Sequence, residues 1–282
     1  MRVAITGSSG FLGRNVVDHF CQNNVDVVEI SRSKGYDIAD WQSVGDISPC
    51  DVIIHLAAKT FVPDSFENPS DFYQFNLLST LNALELARIW KARFIFMSSY
   101  LYGEPQYLPV DEAHPLKPHN PYAQTKLIGE EICKSYSRDF NLDIVVFRLF
   151  NVYGPGQRDS FLIPEMIKKM STGKISLKDP RPKRDYIYVT EVAQVLLKTL
   201  KIELDGYNLF NLGTGKSWSV NELVQILTEL SKQHVEIEFT HEYRKGEVLD
   251  SVADVGKLKS LLNWESSIDL KKGLTELLAK SV

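Results

Sequence analysis

Tyr122 and Lys126 stand four residues apart in PYAQTK, a spacing that puts both side chains on one helix face about a turn apart. Theirs is the one Y-x-x-x-K pair in the sequence, and it follows an apolar run ending FMSSYLYG, with Ser98 and Ser99. A phenol, an ammonium and a hydroxyl suit the transfer of a proton to a carbonyl oxygen whose carbon accepts hydride. A free phenol titrates near about 10, and a neighbouring ammonium is expected to lower that toward neutrality, so Tyr122 can act as acid or base. The serine orients the same oxygen. Asn120 and Pro121 mark the start of the helix, as cap and first-turn residue.

A second constellation lies at the other end of the chemistry. TGSSGFLG places Gly7, Gly10 and Gly13 after the first strand-like run and before a helical one. Such glycines permit a tight turn, let a pyrophosphate approach the backbone and let the helix pack close to the sheet. The helix N-terminus then offers N–H groups and a positive dipole end to the phosphates. The next strand ends Glu29-Ile30-Ser31-Arg32, where NAD users carry an acid for the ribose hydroxyls. A hydroxyl followed by a guanidinium fork suits a 2′-phosphate instead, so NADP is the expected cofactor and NAD the alternative. Asp37 is placed to accept from the adenine amino group.

These groups need a scaffold. Val3–Thr6, Val25–Ile30, Val52–Leu56, Phe94–Met97 and Ile144–Phe147 read as buried strands, with helical patterns at Phe11–Gln22, Pro69–Trp90 and Pro121–Phe140 between most of them. Alternation of this kind predicts an α/β fold: a Rossmann-type doubly wound parallel sheet covered on both faces, with a smaller C-terminal α/β substrate domain. The dinucleotide-binding domain is expected over 1–150, with a return around 184–213, and the second domain over 151–282. Within the latter, Gly154–Lys183 is rich in Pro, Gly, Arg and Lys and shows no clean alternation. Tyr186–Val189 and Phe210–Gly213 look like strands, and Glu191–Leu200 and Val220–Lys232 like helices.

Composition sets the outer bounds. The 282 residues are 44% hydrophobic and 24% charged, which excludes a disordered chain and a disulfide-stapled mini-protein. A net charge of −4 argues against a general nucleic-acid binder. Cys21, Cys50 and Cys133 form no paired spacing and the histidines no ligand-like spacing, so no metal is expected, and reduced thiols in a cytoplasmic protein are. The opening MRVAITGSSG does not read as a signal peptide, and no apolar run approaches the ~20 residues that span a bilayer; the run Ile144–Phe150 is broken by Arg148. His55, His114, His119, His234 and His241 read as structural or exposed, and the four tryptophans as packing residues.

TGSSGFLG is followed in order by HLAA (His55–Ala58), SSYLYG (Ser98–Gly103), PYAQTK, FRLFNVYGPGQ (Phe147–Gln157), RDYIYV (Arg184–Val189), FNLGTG (Phe210–Gly215) and RKGEVLDSVADVGK (Arg244–Lys257). Over nearly its whole length the sequence thereby resembles the extended short-chain dehydrogenase/reductases, in their nucleotide-sugar epimerase, dehydratase and reductase branch. The resemblance implies Tyr122 as acid/base and Lys126 as its partner, the lysine also holding the nicotinamide ribose. Counting back from Tyr102-Gly103 it places the catalytic serine at Ser98, with Ser99 as a substrate contact; counting along the strand gives Ser99 the catalytic role. It further implies cofactor contacts from Ser9, Phe11, Leu12, Ile38, Leu56, Ala57, Ala58 and Asn76. Asn151, Arg184, Arg244 and Glu247 match residues that hold the diphosphate and ribose of a nucleoside-diphosphate sugar, and two arginines suit that charge. The helices around 71–90 and 121–139 match a pair that forms a homodimer interface.

Two departures narrow the expectation. Dehydratases of this branch carry acids at the places of Ser99 and Tyr100, so no residue here is available to expel water. Many 4-epimerases carry Asp at the place of Ser31. The leading expectation is therefore NADPH-dependent reduction of a 4-keto-sugar nucleotide. The alternatives are a 4-epimerase, which uses the same residues, and a non-catalytic cofactor sensor, which has no need of Tyr122 and Lys126.

Overall fold

The computed structural model describes residues 1–232, 234–243 and 246–279. They form two units, one from 1–103, 115–149 and 193–211, the other from 104–114, 150–192 and the described residues beyond 211. In the first, β1 (Arg2–Thr6), β2 (Asp26–Ile30), β3 (Val52–His55), β4 (Arg93–Ser99) and β5 (Ile144–Leu149) alternate with α1 (Phe11–Gln22), α2 (Trp41–Val44), α3 (Val62–Glu67), α4 (Pro69–Trp90) and α5 (Pro121–Phe140). Further along lie β6 (Asn151–Tyr153), α6 (Leu162–Met170), β7 (Lys174–Leu177), β8 (Lys183–Tyr188), α7 (Val189–Thr199), β9 (Tyr207–Leu212), β10 (Ser217–Ser219), α8 (Val220–Ser231), β11 (Glu236–Phe239), β12 (Asp250–Ser251), α9 (Gly256–Leu262) and α10 (Leu270–Ala279).

The main sheet runs β2-β1-β3-β4-β5-β9, and its pairs from β2 to β5 are parallel. Strands buried on both faces must be apolar throughout, and β3 and β5 are buried at every position. Ile53, Phe94, Phe96 and Val146 meet Leu84, Ala87 and Cys133 from the helices in one core. Because β2 and β3 flank β1 on opposite sides, the connections diverge at β1's C-terminal end. That is where an open α/β sheet leaves a crevice for a ligand.

In the second unit β8 is central: β10 pairs with it antiparallel, β6 and β12 parallel, and β7 pairs with β11. Tyr153, Met166, Ile175, Tyr188, Leu223 and Leu274 form a separate core. The stretch that showed no clean alternation holds α6 and β7. Pro164 disguises α6 in the sequence, yet it falls in the first turn, where a missing N–H costs nothing. β7 is four residues long and its partner β11 lies far along the chain, so no local pattern announces it. Among the described residues no helix is long and apolar enough to cross a membrane.

Candidate active site

At the end of β1 the backbone turns through Gly7, whose N–H donates to the Ile30 carbonyl at 2.8 Å and whose φ is +69°. A Cβ there would stand 2.8 Å from the Ala57 backbone, and one on Gly13 would stand 2.1 Å from the Gly7 oxygen, so neither position admits a side chain. α1 is preceded by Gly10 at its N-cap, with no side-chain cap and no acid in its first turn, which leaves its N–H end available to an anion. The Ser8 hydroxyl is fully buried in this loop and, among the described residues, has no hydrogen-bond partner. A cradle that excludes side chains and holds an orphan hydroxyl fits a pyrophosphate, with Ser9, Phe11 and Leu12 in the same loop and first turn.

Ser31 follows the last residue of β2, is buried and shares a hydrogen bond with Ser33 at 3.1 Å. Glu29 is engaged by Lys34 at 2.8 Å. The Arg32 guanidinium lies 5.5 Å over the Phe75 ring, and among the described residues no carboxylate pairs with it. Asp37 accepts the Ala39 N–H at 3.1 Å, and the carbonyl of buried Ile38 accepts from Asn82.

Beyond β3, the N–H groups of Leu56 and Ala57 both donate to the Thr6 hydroxyl at 3.2 Å. His55 bridges Thr6 and Thr80, and burial, with the Lys126 charge adding to it, holds its pKa well below the ordinary value. It is fully buried between these two hydroxyls. Asn76 accepts from the Lys59 N–H at 2.8 Å and donates to the Lys59 carbonyl and to the Thr125 hydroxyl. The loop holding Leu56, Ala57 and Ala58 is thereby tied to α5 one residue from Lys126.

α5 begins where the sequence indicated: the Asn120 side chain accepts the Ala123 N–H at 2.8 Å, and Pro121 follows. The Tyr122 phenol hydrogen-bonds Ser99, and Tyr100 is close enough to act on it electrostatically. The Lys126 ammonium is buried, donates to the Met97 carbonyl at 2.8 Å and lies 4.9 Å over the Phe96 ring. Two expectations are corrected here. Ser98 does not meet Tyr122: its hydroxyl donates to Glu130 at 2.6 Å, about two turns further along α5. Ser99 is the serine beside the phenol. Nor is the Tyr122 pKa drawn down: burial pushes it up to about 12, while Lys126 spends its charge on the Met97 carbonyl. Burial likewise lowers Lys126 to about 8, against opposing pulls from Cys133 and Glu130.

Sequence reasoning missed the charges behind this group. Arg148 grips Glu130 with two nitrogens, at 3.0 and 2.7 Å, and donates to the Tyr102 hydroxyl at 3.2 Å; Tyr102 donates in turn to Asn211. Both charged side chains are essentially inaccessible. Arg148 interrupting an apolar strand was the signal, since a fully buried arginine requires a carboxylate partner.

In the second unit, Arg184 binds Glu247 at 2.5 Å and the Val248 carbonyl at 2.6 Å. Asn151 lies on the neighbouring strand, donating to the Asp185 carbonyl at 3.5 Å. Arg244 lies outside the described residues. Asp185, which the sequence did not single out, is buried and accepts from Thr214, Gly215 and Ala253, fastening the Gly213–Gly215 turn to β8.

The comparisons with known proteins agree on the family. Its model, described as the NAD dependent epimerase/dehydratase family, matches residues 3–213. A Methanocaldococcus jannaschii protein named putative UDP-glucose 4-epimerase is 35% identical over 303 residues, covering 96% of this chain and 95% of that protein. The GDP-6-deoxy-D-mannose reductase of Pseudomonas aeruginosa is 30% identical over 293 residues, covering 99% and 96%. The solved structure of RMD from Pseudomonas aeruginosa complexed with NADPH matches with a TM-score of 0.90 at 29% identity, over 99% of this chain and 97% of that one. The chain belongs to the NAD dependent epimerase/dehydratase family, the nucleotide-sugar branch of the extended short-chain dehydrogenase/reductases, and is an NAD(P)-dependent enzyme.

Proposed function

We propose that this enzyme reduces a nucleoside-diphosphate 4-keto-sugar with NADPH. The tip of β2 carries the choice. Ser31 stands where a ribose-binding acid is needed for NAD, Glu29 is already neutralised by Lys34, and Arg32 presents a guanidinium that no carboxylate among the described residues occupies. That combination favours a 2′-phosphate, which a guanidinium binds through paired charge-assisted hydrogen bonds. The Gly7–Gly13 loop with Ser9, Phe11 and Leu12 holds the pyrophosphate, Asp37 and Ile38 the adenine, and Leu56, Ala57, Ala58, Asn76 and Lys126 the nicotinamide half. When bound, the cofactor supplies hydride to C4 of the sugar. Tyr122, which burial keeps protonated, gives its proton to the carbonyl oxygen, and Ser99 donates a hydrogen bond to the same oxygen.

On the substrate side, Asn151, Arg184, Arg244 and Glu247 take the diphosphate and its ribose. Arg184→Ala is expected to weaken binding of the free nucleoside diphosphate about tenfold, the worth of one charge-assisted hydrogen bond of about 1.5 kcal/mol. Calorimetry giving the parent affinity would remove Arg184 from the site.

The reaction itself is tested by supplying a 4-keto-sugar nucleotide and following NADPH: one equivalent consumed per sugar reduced is the expected result. Tightly bound NAD in the purified protein, with UDP-hexoses interconverted and no cofactor added, would sink the reductase reading. The 4-epimerase would then stand, a reading favoured by the name of the 35% identical relative.

We also place the enzyme in the cytoplasm, where its three free cysteines stay reduced, as a homodimer joined through α4 and α5. Leu78, Leu81 and Ile89 share one face of α4 and are 48%, 38% and 54% exposed, an apolar stripe that a second copy would cover. Leu78→Asp with Leu81→Asp is expected to run as a monomer in light scattering; an unchanged mass would exclude this face.

A further inference from the structure

Glu130 and Arg148 are the two charges buried deepest in the first unit, and the proton transfer described above uses neither. Burying such a pair costs desolvation that apolar side chains would not incur, so it stabilises the fold weakly at best. Its placement is informative. Glu130 lies on α5 four residues after Lys126 and eight after Tyr122, so the three side chains share one stripe of the helix. Arg148 lies on β5 in register with Ser98 of β4. Glu130 accepts from both, from Ser98 at 2.6 Å and from Arg148 at 2.7 Å. A second arm runs from Arg148 through Tyr102, just beyond the end of β4, to Asn211.

We propose that Glu130, held by Arg148, is a positioning residue: by gripping Ser98 it sets the end of β4 against α5, so that Ser99 meets the Tyr122 hydroxyl. Ser98 and Ser99 are neighbours on one backbone, so Ser98 is the handle: fixing its side chain fixes the strand end that carries Ser99. Arg148 keeps the carboxylate oriented, since its fork leaves Glu130 only a narrow range of rotation. The clamp also acts on charge. Lys126 is faced by Glu130 and Cys133 from its own helix and by His55 from β3, while β4 offers it the Met97 carbonyl and the Phe96 ring. Glu130 supports the ammonium that burial disfavours.

This inference rests on Ser99, Tyr122 and Lys126 being the catalytic group, and the test separates the two. Ser98→Ala removes only the handle. It is expected to lower kcat about tenfold while KM and the dissociation constant for NADPH stay within about twofold, as misaimed groups lose rate rather than binding. Glu130→Gln is expected to lower kcat further and to bring the basic limb of the kcat–pH profile, set by Lys126 near 8, to lower pH, because the ammonium loses a supporting carboxylate. Tyr122→Phe, assayed in parallel, reports on the catalytic group itself. If Tyr122→Phe is inactive and Ser98→Ala turns over at the parent rate, the clamp is overturned and the catalytic group stands. A basic limb that does not move in Glu130→Gln overturns the electrostatic part. An active Tyr122→Phe overturns the catalytic group instead. Should Glu130→Gln fail to fold with Arg148 left unpaired, Ser98→Ala still decides the positioning role.

Discussion

Tyr122→Phe is expected to bind NADPH as the parent enzyme does and to lose about 10²–10⁴-fold in kcat, the range of a positioned general acid. The ring stays, so the packing of the first turn of α5 and its Asn120 cap are undisturbed, and only the proton donor is removed. A phenol pushed up to about 12 remains protonated through the neutral range, so parent activity in the reductive direction needs no help from pH on its account. In the oxidative direction the same group must accept a proton and starts in its protonated form. Reduction is therefore expected to outpace the reverse reaction at pH 7, which steady-state rates in the two directions will check. A Tyr122→Phe variant with near-parent kcat would show that the proton comes from elsewhere.

Arg32→Ala is expected to abolish most of the preference for NADPH over NADH, a change of about 2 kcal/mol or roughly thirtyfold in the ratio of the two kcat/KM values. The loss should fall almost wholly on NADPH. NADH has no 2′-phosphate, and Arg32 makes no ion pair among the described residues whose removal would disturb the fold. Titration of both reduced cofactors into parent and variant separates the terms. Equal losses for both would mean that the guanidinium over Phe75 only packs the tip of β2, and the cofactor preference would have to be sought elsewhere.

Much of this molecule is legible in its residues alone. The Gly7–Gly13 loop, the five alternating strands and the Tyr122–Lys126 spacing are local: a tight turn, a buried apolar run and a one-turn separation each follow from a few neighbouring residues. Family membership was legible for the same reason, as it rests on short motifs kept in order. Stretches whose partners lie far off in sequence were not. α6 hid behind Pro164, and β7 makes sense only beside β11, which begins 59 residues after β7 ends.

The chemistry divides along the same line. Residue types and spacing by themselves placed a phenol and an ammonium one turn apart on a helix that follows a pair of serines, and a guanidinium rather than a carboxylate just past the end of β2. Tertiary structure decided which serine meets the phenol, since that depends on how far along α5 each strand residue falls: Ser98 found Glu130 and Ser99 found Tyr122. It decided the proton affinity of Tyr122, because burial outweighed an ammonium already engaged by the Met97 carbonyl. It also joined Arg148 to Glu130 and Arg184 to Glu247, pairs separated by 18 and 63 positions. A side chain's hydrogen-bond partner and the water it loses are set by whatever the fold brings beside it, and sequence spacing carries that information only within a turn or two of a helix or the next strand position.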